Sequence, residues 1–119
     1  MKTIALILAA VLAANAGDWR LVMTAHDGTA TLVDGASIRR EGPVLTFWQK
    51  NLRPDGITEG ARIRLDCETS TWQLLYQQIT DARGRVISTL ASRLKPLDIR
   101  PGSAMEQEQK KICGALVRN

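Results

Sequence analysis

Hydrophobic and polar residues alternate most clearly between residues 61 and 68. The apolar members take every second position and the charged members the positions between them: Ala61, Ile63, Leu65 and Cys67 against Arg62, Arg64, Asp66 and Glu68. Successive side chains of a β-strand point to opposite faces of a sheet. The pattern therefore predicts a strand with one apolar face, and it places Cys67 on that face.

Further strands are predicted where β-prone runs are separated by turn signals. His26-Asp27-Gly28 lies between residues 19–25 and 29–34, and an Asp-Gly pair in this position is typical of a hairpin. The other predicted strands are residues 37–39, 44–50, 72–80 and 86–90, with turns at 40–43 and 81–84. Residues 51–60 contain Pro54, Gly56 and Gly60, which predicts a surface loop.

The register between the strands 61–68 and 72–80 decides which side chains join the apolar face. A two-residue turn at Ser70-Thr71 places Trp72, Leu74 and Tyr76 beside Cys67. A shift by one residue would place Gln73 and Gln77 there instead. We expect the first register, because it pairs apolar side chains with one another.

The periodicity becomes helical after Pro96 and Pro101. Ser103 and Glu106 have the spacing of a capping box, in which each side chain binds a free backbone N–H of the first turn. We predict a helix over residues 104–116. Its apolar stripe consists of Met105, Ile112, Cys113 and Leu116, and Glu106, Gln107, Lys110 and Lys111 lie mostly away from that stripe. The whole pattern predicts a mostly β domain closed by one C-terminal helix.

Residues 1–16 have the pattern of a cleaved export signal. Lys2 precedes the uncharged stretch 4–14, and Ala14-Asn15-Ala16 is the small-x-small sequence that signal peptidases cut. The stretch is too short for a membrane-spanning helix, which needs roughly 20 apolar residues. No cysteine occupies the cleavage region, so we expect no lipid attachment and no transmembrane segment in the mature chain. The predicted organisation is a signal peptide, 1–16, and one periplasmic or extracellular domain, 17–119.

Composition and charge narrow the range of partners. The chain of 119 residues is 45% hydrophobic and 24% charged, which is typical of one small folded domain. Removal of Lys2 with the signal leaves 15 basic against 12 acidic residues. That small excess, in an exported protein, argues against nucleic acid as a partner.

The two cysteines, Cys67 and Cys113, are most simply explained as one disulfide in an oxidising compartment. A redox or metal pair is the alternative, but the chain has no CxxC motif and no nearby histidine to support it. Both cysteines fall on apolar faces, one on a strand and one on the helix. The bridge would therefore attach the helix to the sheet.

The sequence contains no motif for catalysis, for a cofactor or for a metal. His26 is the single histidine, and its Asp-Gly neighbours place it in an exposed turn. We therefore expect a protein that is not an enzyme, with no catalytic, cofactor-binding or metal-binding residues. A small hydrolase that uses acids distant in sequence stays as an alternative, and substitution of His26, Asp34 and Asp66 would test it.

Two groups of residues are candidates for binding. Arg62 and Arg64, together with Arg39 and Arg40, form a possible basic patch, although arginines at such positions are often only the solvated side of a half-buried sheet. The three tryptophans lie in predicted strands, where large rings usually fill the core or cap the sheet: Trp19, Trp48 and Trp72. The surfaces expected to make contacts are the strand edges, residues 51–60 and the arginine-bearing face.

Several features follow one another along the chain: an export signal, Trp19 at the start of the mature chain, Asp34, the segment 37–42, Trp48, Asp66-Cys67, Pro101-Gly102-Ser103 and a helical Cys113. In this order and spacing they resemble the surface-adhesin protein E family of Gram-negative bacteria, over residues 18–114. The resemblance implies an α+β fold with an antiparallel sheet of about six strands. It also implies a C-terminal helix on the concave face of that sheet, joined to it by a Cys67–Cys113 disulfide.

The resemblance further implies cell adhesion through host extracellular-matrix macromolecules, and a capacity to form a homodimer. We therefore expect an exported binding domain whose partners are host-matrix or envelope macromolecules. The alternative is a periplasmic structural or envelope-assembly protein with no host ligand.

Overall fold

The computed structural model describes residues 17–91 and 95–117, except for the side chains of residues 115–117. The predicted export signal and the side chain of Leu116 lie outside this part of the chain. Eight strands and one helix are present in it: β1 Trp19–Thr24, β2 Ala30–Asp34, β3 Arg39–Glu41, β4 Val44–Leu52, β5 Thr58–Asp66, β6 Thr71–Thr80, β7 Val86–Ala91, β8 Leu97–Asp98 and α1 Ala104–Val117.

All strand pairs are antiparallel, and six strands form the main path of the sheet in the order β1-β2-β4-β5-β6-β7. The two shortest strands lie off this path, since β3 pairs with β4 and β8 pairs with β6. The mostly antiparallel sheet with one C-terminal helix is therefore confirmed. The first hairpin also has the predicted turn, which is closed by hydrogen bonds between Ala25 and Thr29 and between Gly28 and Ala25.

One face of the sheet, called the inner face here, is covered by α1. Leu45, Phe47, Ile63 and Leu65 are fully buried there, and Ile112 of the helix packs against them. Each of these sheet residues lies two positions from another, as side chains that share one face of a strand must. The opposite surface of the sheet is called the outer face.

The helix begins close to the predicted position. The Ser103 hydroxyl oxygen accepts a hydrogen bond from the Glu106 N–H at 3.2 Å, as the capping box predicts. The Glu106 carboxylate binds the Gly102 N–H at 3.1 Å rather than that of Ser103. The reason is that the Ser103 N–H already donates to the Arg100 carbonyl oxygen.

Cys67 and Cys113 form the predicted disulfide, with their Cα atoms 5.9 Å apart. Cys67 is the first residue after β5, and Cys113 lies in α1. Both side chains are half-buried and pack against the core. The bridge therefore attaches the helix to the end of β5, one of the inner strands of the sheet.

Two predicted boundaries are wrong because of local hydrogen bonding. The strand expected at 37–39 is β3, two residues later, because Gly35–Ser37 form a 3-10 turn in which the Asp34 carboxylate accepts from the Ala36 N–H. The loop expected over residues 51–60 is shorter, because β4 and β5 keep pairing as far as Leu52 and Thr58.

The predicted two-residue turn between β5 and β6 is also wrong. Asp66 pairs directly with Thr71, which leaves a four-residue turn over 67–70. The Asp66 carboxylate accepts hydrogen bonds from the N–H groups of Glu68 and Thr69, and these bonds stabilise the longer turn.

We predict that loss of the disulfide lowers the free energy of unfolding substantially. On the loop-entropy model, a bridge across 46 residues contributes about 4 kcal/mol. The double variant Cys67→Ser/Cys113→Ser should therefore unfold at a much lower urea concentration than the oxidised protein. The reduced wild type is the matched control and should unfold at the same urea concentration as the variant. Equal stability of the oxidised and reduced proteins would contradict the predicted contribution of the disulfide.

Candidate functional site

The outer face carries a row of side chains that crosses the sheet, one from each of five strands. These residues are Trp19, Asp34, Trp48, Arg62 and Tyr76, and they are called the cross-strand row here. Strand pairing places Trp19 opposite Asp34, and Arg62 opposite both Trp48 and Tyr76. Asp34 falls beside Trp48 because the preceding pair in that ladder is Val33 with Gln49.

A β-bulge in β6 brings Tyr76 into this row. Ile63 pairs with Leu74, and the next pair is Arg62 with Tyr76, so Leu75 is an extra residue in β6. Trp72 and Leu74 therefore lie on the inner face, as predicted, and Tyr76 lies on the outer face. The expectation that Tyr76 joins the Cys67 face is wrong, because the bulge reverses the alternation.

The aromatic rings of the row are held by contacts with each other and with cations. The rings of Trp48 and Tyr76 meet edge to face, with centroids 5.9 Å apart. The Arg62 guanidinium carbon lies 5.5 Å from the Trp48 ring centroid, and the Lys50 ammonium lies 4.2 Å from that of Trp19. Each such contact contributes about 0.5–1 kcal/mol at a partly exposed site. All of these side chains are half-buried, so the rings are oriented but still accessible.

An open groove of about 670 Å³ runs beside the cross-strand row. Its floor is at Gly60, which pairs with Lys50 on one side and Gln78 on the other. Gly60 contributes no side chain, so the surface is lowest there. Thr58 and Thr80, which pair with each other, form the far side of the groove.

The space above Gly60 is large enough for a side chain. A Cβ atom at this position would meet only the Gln78 carbonyl oxygen within 4 Å, at an ordinary contact distance of 3.7 Å. The Gly60 backbone has no positive φ. A substitution at Gly60 would therefore fill the groove without straining the strand.

Three of the four candidate arginines lie on the outer face. Thr46 opposes both Arg39 and Arg64, so these two side chains share the face of Arg62; Arg64 lies two residues from Arg62 along β5, and β4 separates Arg39 from both. Arg40 does not join them, because it opposes the buried Leu45 and lies near the disulfide on the inner side. Strand pairing thus places Arg39, Arg62 and Arg64 on one face, and that they form a binding patch stays a prediction.

The tryptophans divide between the two faces. Trp72 packs against the core on the inner face, which agrees with the expectation that large rings in these strands fill the core. Trp19 and Trp48 lie on the uncovered outer face instead. The sequence already indicated the outer position of Trp48. Side chains alternate along β4, so Trp48 points away from the face that holds the core residues Leu45 and Phe47.

A second cavity, of about 310 Å³, lies between the sheet and α1 and contains a buried carboxyl group. Glu108 is only 3% exposed. In the amide orientation that satisfies both groups, the Gln49 side-chain nitrogen donates to the two Glu108 carboxyl oxygens at 3.0 and 2.5 Å. Burial raises the pKa of Glu108 to about 7, and the Gln49 donor opposes this shift because it favours the ionised carboxylate.

Sequence reasoning missed Glu108, although its position follows from helical spacing. Glu108 is three residues after Met105 and four before Ile112, so all three share the buried face of α1. A charged residue is normally expected to be exposed to solvent. Only its partner Gln49, which lies on the sheet, explains why Glu108 is buried.

The edge strand β7 is the most exposed of the long strands, and all its residues lie open to solvent. Val86, Ile87 and Leu90 are its large apolar residues. This edge and the outer face are therefore two separate surfaces that a partner could contact.

The structure does not join the residues of the alternative hydrolase hypothesis into one site. His26 is exposed in the β1–β2 turn. The Asp34 carboxylate binds the backbone N–H groups of Asp18 and Ala36, and the Asp66 carboxylate binds those of the β5–β6 turn. The Thr69 N–H holds the pKa of Asp66 below its usual value. The Asp66 carboxylate thus stabilises its own turn, and the Asp34 carboxylate joins the 3-10 turn to the residue before β1.

Within residues 17–91 and 95–117, no group of three His, Cys, Asp or Glu side chains is placed to hold a metal ion. In the same ranges, no helix has the length and apolar character needed to cross a membrane.

The chain matches the model of a known protein family. The model of the family described as surface-adhesin protein E matches residues 19–114. No curated protein and no solved structure matches the chain. The matched region contains the whole cross-strand row, both cysteines and the groove.

We predict that the buried carboxyl group makes stability depend on pH. Because the pKa of Glu108 is higher in the folded protein than in the unfolded chain, the folded state binds more protons between about pH 4.5 and 7. The free energy of unfolding should therefore fall as the pH rises through this window. Glu108→Gln should raise the free energy of unfolding at pH 8 by about 3–4 kcal/mol, since the pKa rises from 4.5 to about 7 on folding and each pKa unit corresponds to about 1.4 kcal/mol.

Urea unfolding at several pH values would measure this effect. Glu41→Gln is the matched control, because Glu41 is exposed on β3 and its loss should leave the pH dependence unchanged. A Glu108→Gln variant that follows the wild-type pH curve would contradict the prediction.

Proposed function

Because the chain belongs to the surface-adhesin protein E family, we propose that it is an exported, non-enzymatic binding domain that recognises a macromolecule through its outer face. Family membership indicates a surface-adhesin-like role in general terms. The finer statement, that the partners are host extracellular-matrix or envelope macromolecules, is our proposal. The proposed recognition through the outer face applies to a monomer and equally to the homodimer that the family resemblance implies.

The observation that carries the proposal is the asymmetry between the two faces of the sheet. The inner face is covered by α1, whereas the outer face presents two tryptophans, a tyrosine and three arginines. Trp, Tyr and Arg are the residues most enriched at the energetic centres of protein interfaces. A surface of this composition, on a rigid sheet, supports recognition by shape and charge.

The disulfide supports the exported location. Disulfides persist in oxidising compartments and are rare in the cytosol. Cys67 and Cys113 are bonded to each other, and no free cysteine is present in the described part of the chain. Export with cleavage after Ala16, and delivery to the periplasm or the cell exterior, belong to the proposal.

We predict that the outer face carries the binding. Purified protein of residues 17–119 would be measured against immobilised host-matrix and envelope fractions by surface plasmon resonance. Trp48→Ala and Arg62→Ala should each weaken binding by about tenfold, which corresponds to the loss of about 1.4 kcal/mol. Circular dichroism would establish that both variants remain folded.

Arg83→Ala is the matched control for Arg62→Ala, because Arg83 is also an arginine but is exposed in the β6–β7 turn, away from the outer face. Its binding should equal that of the wild type. Folded outer-face variants that bind as well as the control would disprove the proposed role of this face.

We also predict that the protein is accessible on intact cells. Surface labelling followed by fractionation should recover labelled protein that begins at residue 17. Protein found only in the periplasm, protected from the label, would instead support the structural or envelope-assembly alternative.

A further inference from the structure

We propose that the groove on the outer face binds an acidic polysaccharide. In this proposal, sugar rings pack against Trp48 and Tyr76, and sugar carboxylates pair with Lys50 and Arg62. The inference rests on the proposed function, because it names the ligand class of the same face. Four properties of the groove support it: its path, its aromatic wall, its hydroxyl and amide groups, and its unpaired cations.

The groove follows a path suited to a polymer. Its lining residues come from β1, β2, β4, β5 and β6, which are consecutive neighbours in the sheet. At about 4.8 Å between adjacent strands, the groove extends about 19 Å across them. It crosses the middle of the sheet face, where the strands already pair with each other, so its ligand does not bind as an added strand. Side chains must therefore provide the recognition.

The aromatic wall offers a surface for the apolar side of a sugar. A pyranose ring carries axial C–H groups on its faces and hydroxyl groups around its rim. Trp48 and Tyr76 are half-exposed and fixed edge to face, so packing against them costs little side-chain entropy. Because Gly60 has no side chain, a ring can approach this wall at the level of the sheet.

Groups that form hydrogen bonds line the rest of the groove. Thr58 and Thr80 place hydroxyl groups along its far side, and Gln78 lies beside the floor. The Tyr76 hydroxyl donates to the amide oxygen of Gln78 at 3.0 Å, which fixes that amide. The nitrogen of the same amide has no hydrogen-bond partner among the described residues. Short neutral donors of this kind suit the rim hydroxyls of a sugar, whereas an aliphatic peptide side chain would gain little from them.

Two cations favour an acidic sugar: Lys50 lines the groove, and Arg62 lies beside it, opposite the lining residue Trp48. Lys50 and Arg62 are held over the rings of Trp19 and Trp48, and neither forms a salt bridge with a described residue. The nearest acid in the cross-strand row is Asp34, whose Oδ1 accepts from two backbone N–H groups. The two cations are thus positioned without carboxylate partners. A ligand that carries carboxylates at intervals would complete both pairs.

The test uses a hyaluronan decasaccharide as the probe and isothermal titration calorimetry on residues 17–119. Hyaluronan carries a carboxylate on every second sugar. The matched neutral probe is the same oligosaccharide with its carboxyl groups reduced to alcohols. We expect measurable binding of the acidic probe, binding of the neutral probe that is weaker by about tenfold or more, and quenching of tryptophan fluorescence on binding.

Two variants separate the contributions of shape and charge. Gly60→Thr fills the floor and suits a strand, so it should remain folded and weaken binding of both probes by about tenfold. Lys50→Met keeps the length of the side chain and removes the charge, so it should weaken only the acidic probe. Lys110→Met is the control, because Lys110 lies on α1, on the opposite side of the sheet from the groove. Its loss should change the binding of neither probe.

Three outcomes would overturn the inference. The first is the absence of hyaluronan binding at millimolar concentration. The second is binding that Gly60→Thr leaves unchanged. The third is tighter binding of a polyglutamate peptide or of a single-stranded oligonucleotide, lost in the same variants, which would assign the groove to a different polymer.

The failure of this inference can be distinguished from the failure of the proposed function. If the outer-face variants lose binding to matrix or envelope fractions but no oligosaccharide binds, the face is a binding surface for another ligand. If those variants keep their binding to the fractions, the outer face is not the binding surface at all.

Discussion

The covalent attachment of α1 to the sheet is the constraint on which the rest of the structure depends. A small sheet has two faces and too few residues to cover both. The Cys67–Cys113 bridge places the helix over one face, where Leu45, Phe47 and Ile112 meet. The other face is then left to the solvent, and its polar and aromatic residues can serve recognition without forming the core.

The bulge at Leu75 completes this division of the sheet into two faces. Before the bulge, β6 contributes Trp72 and Leu74 to the core. After it, the same strand places Tyr76 on the outer face, opposite Arg62 on β5 and with its ring against that of Trp48. One extra residue therefore lets a single strand supply the core at one end and the proposed binding surface at the other. The groove would lack one aromatic wall without it.

The sequence predicted those parts of the fold that depend on local periodicity. Alternation in β5, the Asp-Gly hairpin and the Ser103–Glu106 cap each involve residues close in the chain, and the structure confirms them. The bulge was not predictable in this way, because alternation carries no sign of where a strand will gain a residue. The four-residue turn at 67–70 depends on hydrogen bonds from the Glu68 and Thr69 N–H groups to the Asp66 carboxylate, and the pairing of apolar side chains, which favoured a shorter turn, does not reflect those bonds. The partner of Glu108 lies on another element, so no local pattern could show it.

The absence of a side chain at Gly60 has a consequence for how such a surface diversifies. Glycine is a poor strand former, so this position gives up some local stability in return for the depth of the groove. Sterically, however, it accepts other residues. A single substitution could then convert a recessed surface into a flat one while leaving the scaffold intact. Ligand preference could thus change while the fold stays the same, because it would depend on the volume of one residue in the middle of the sheet.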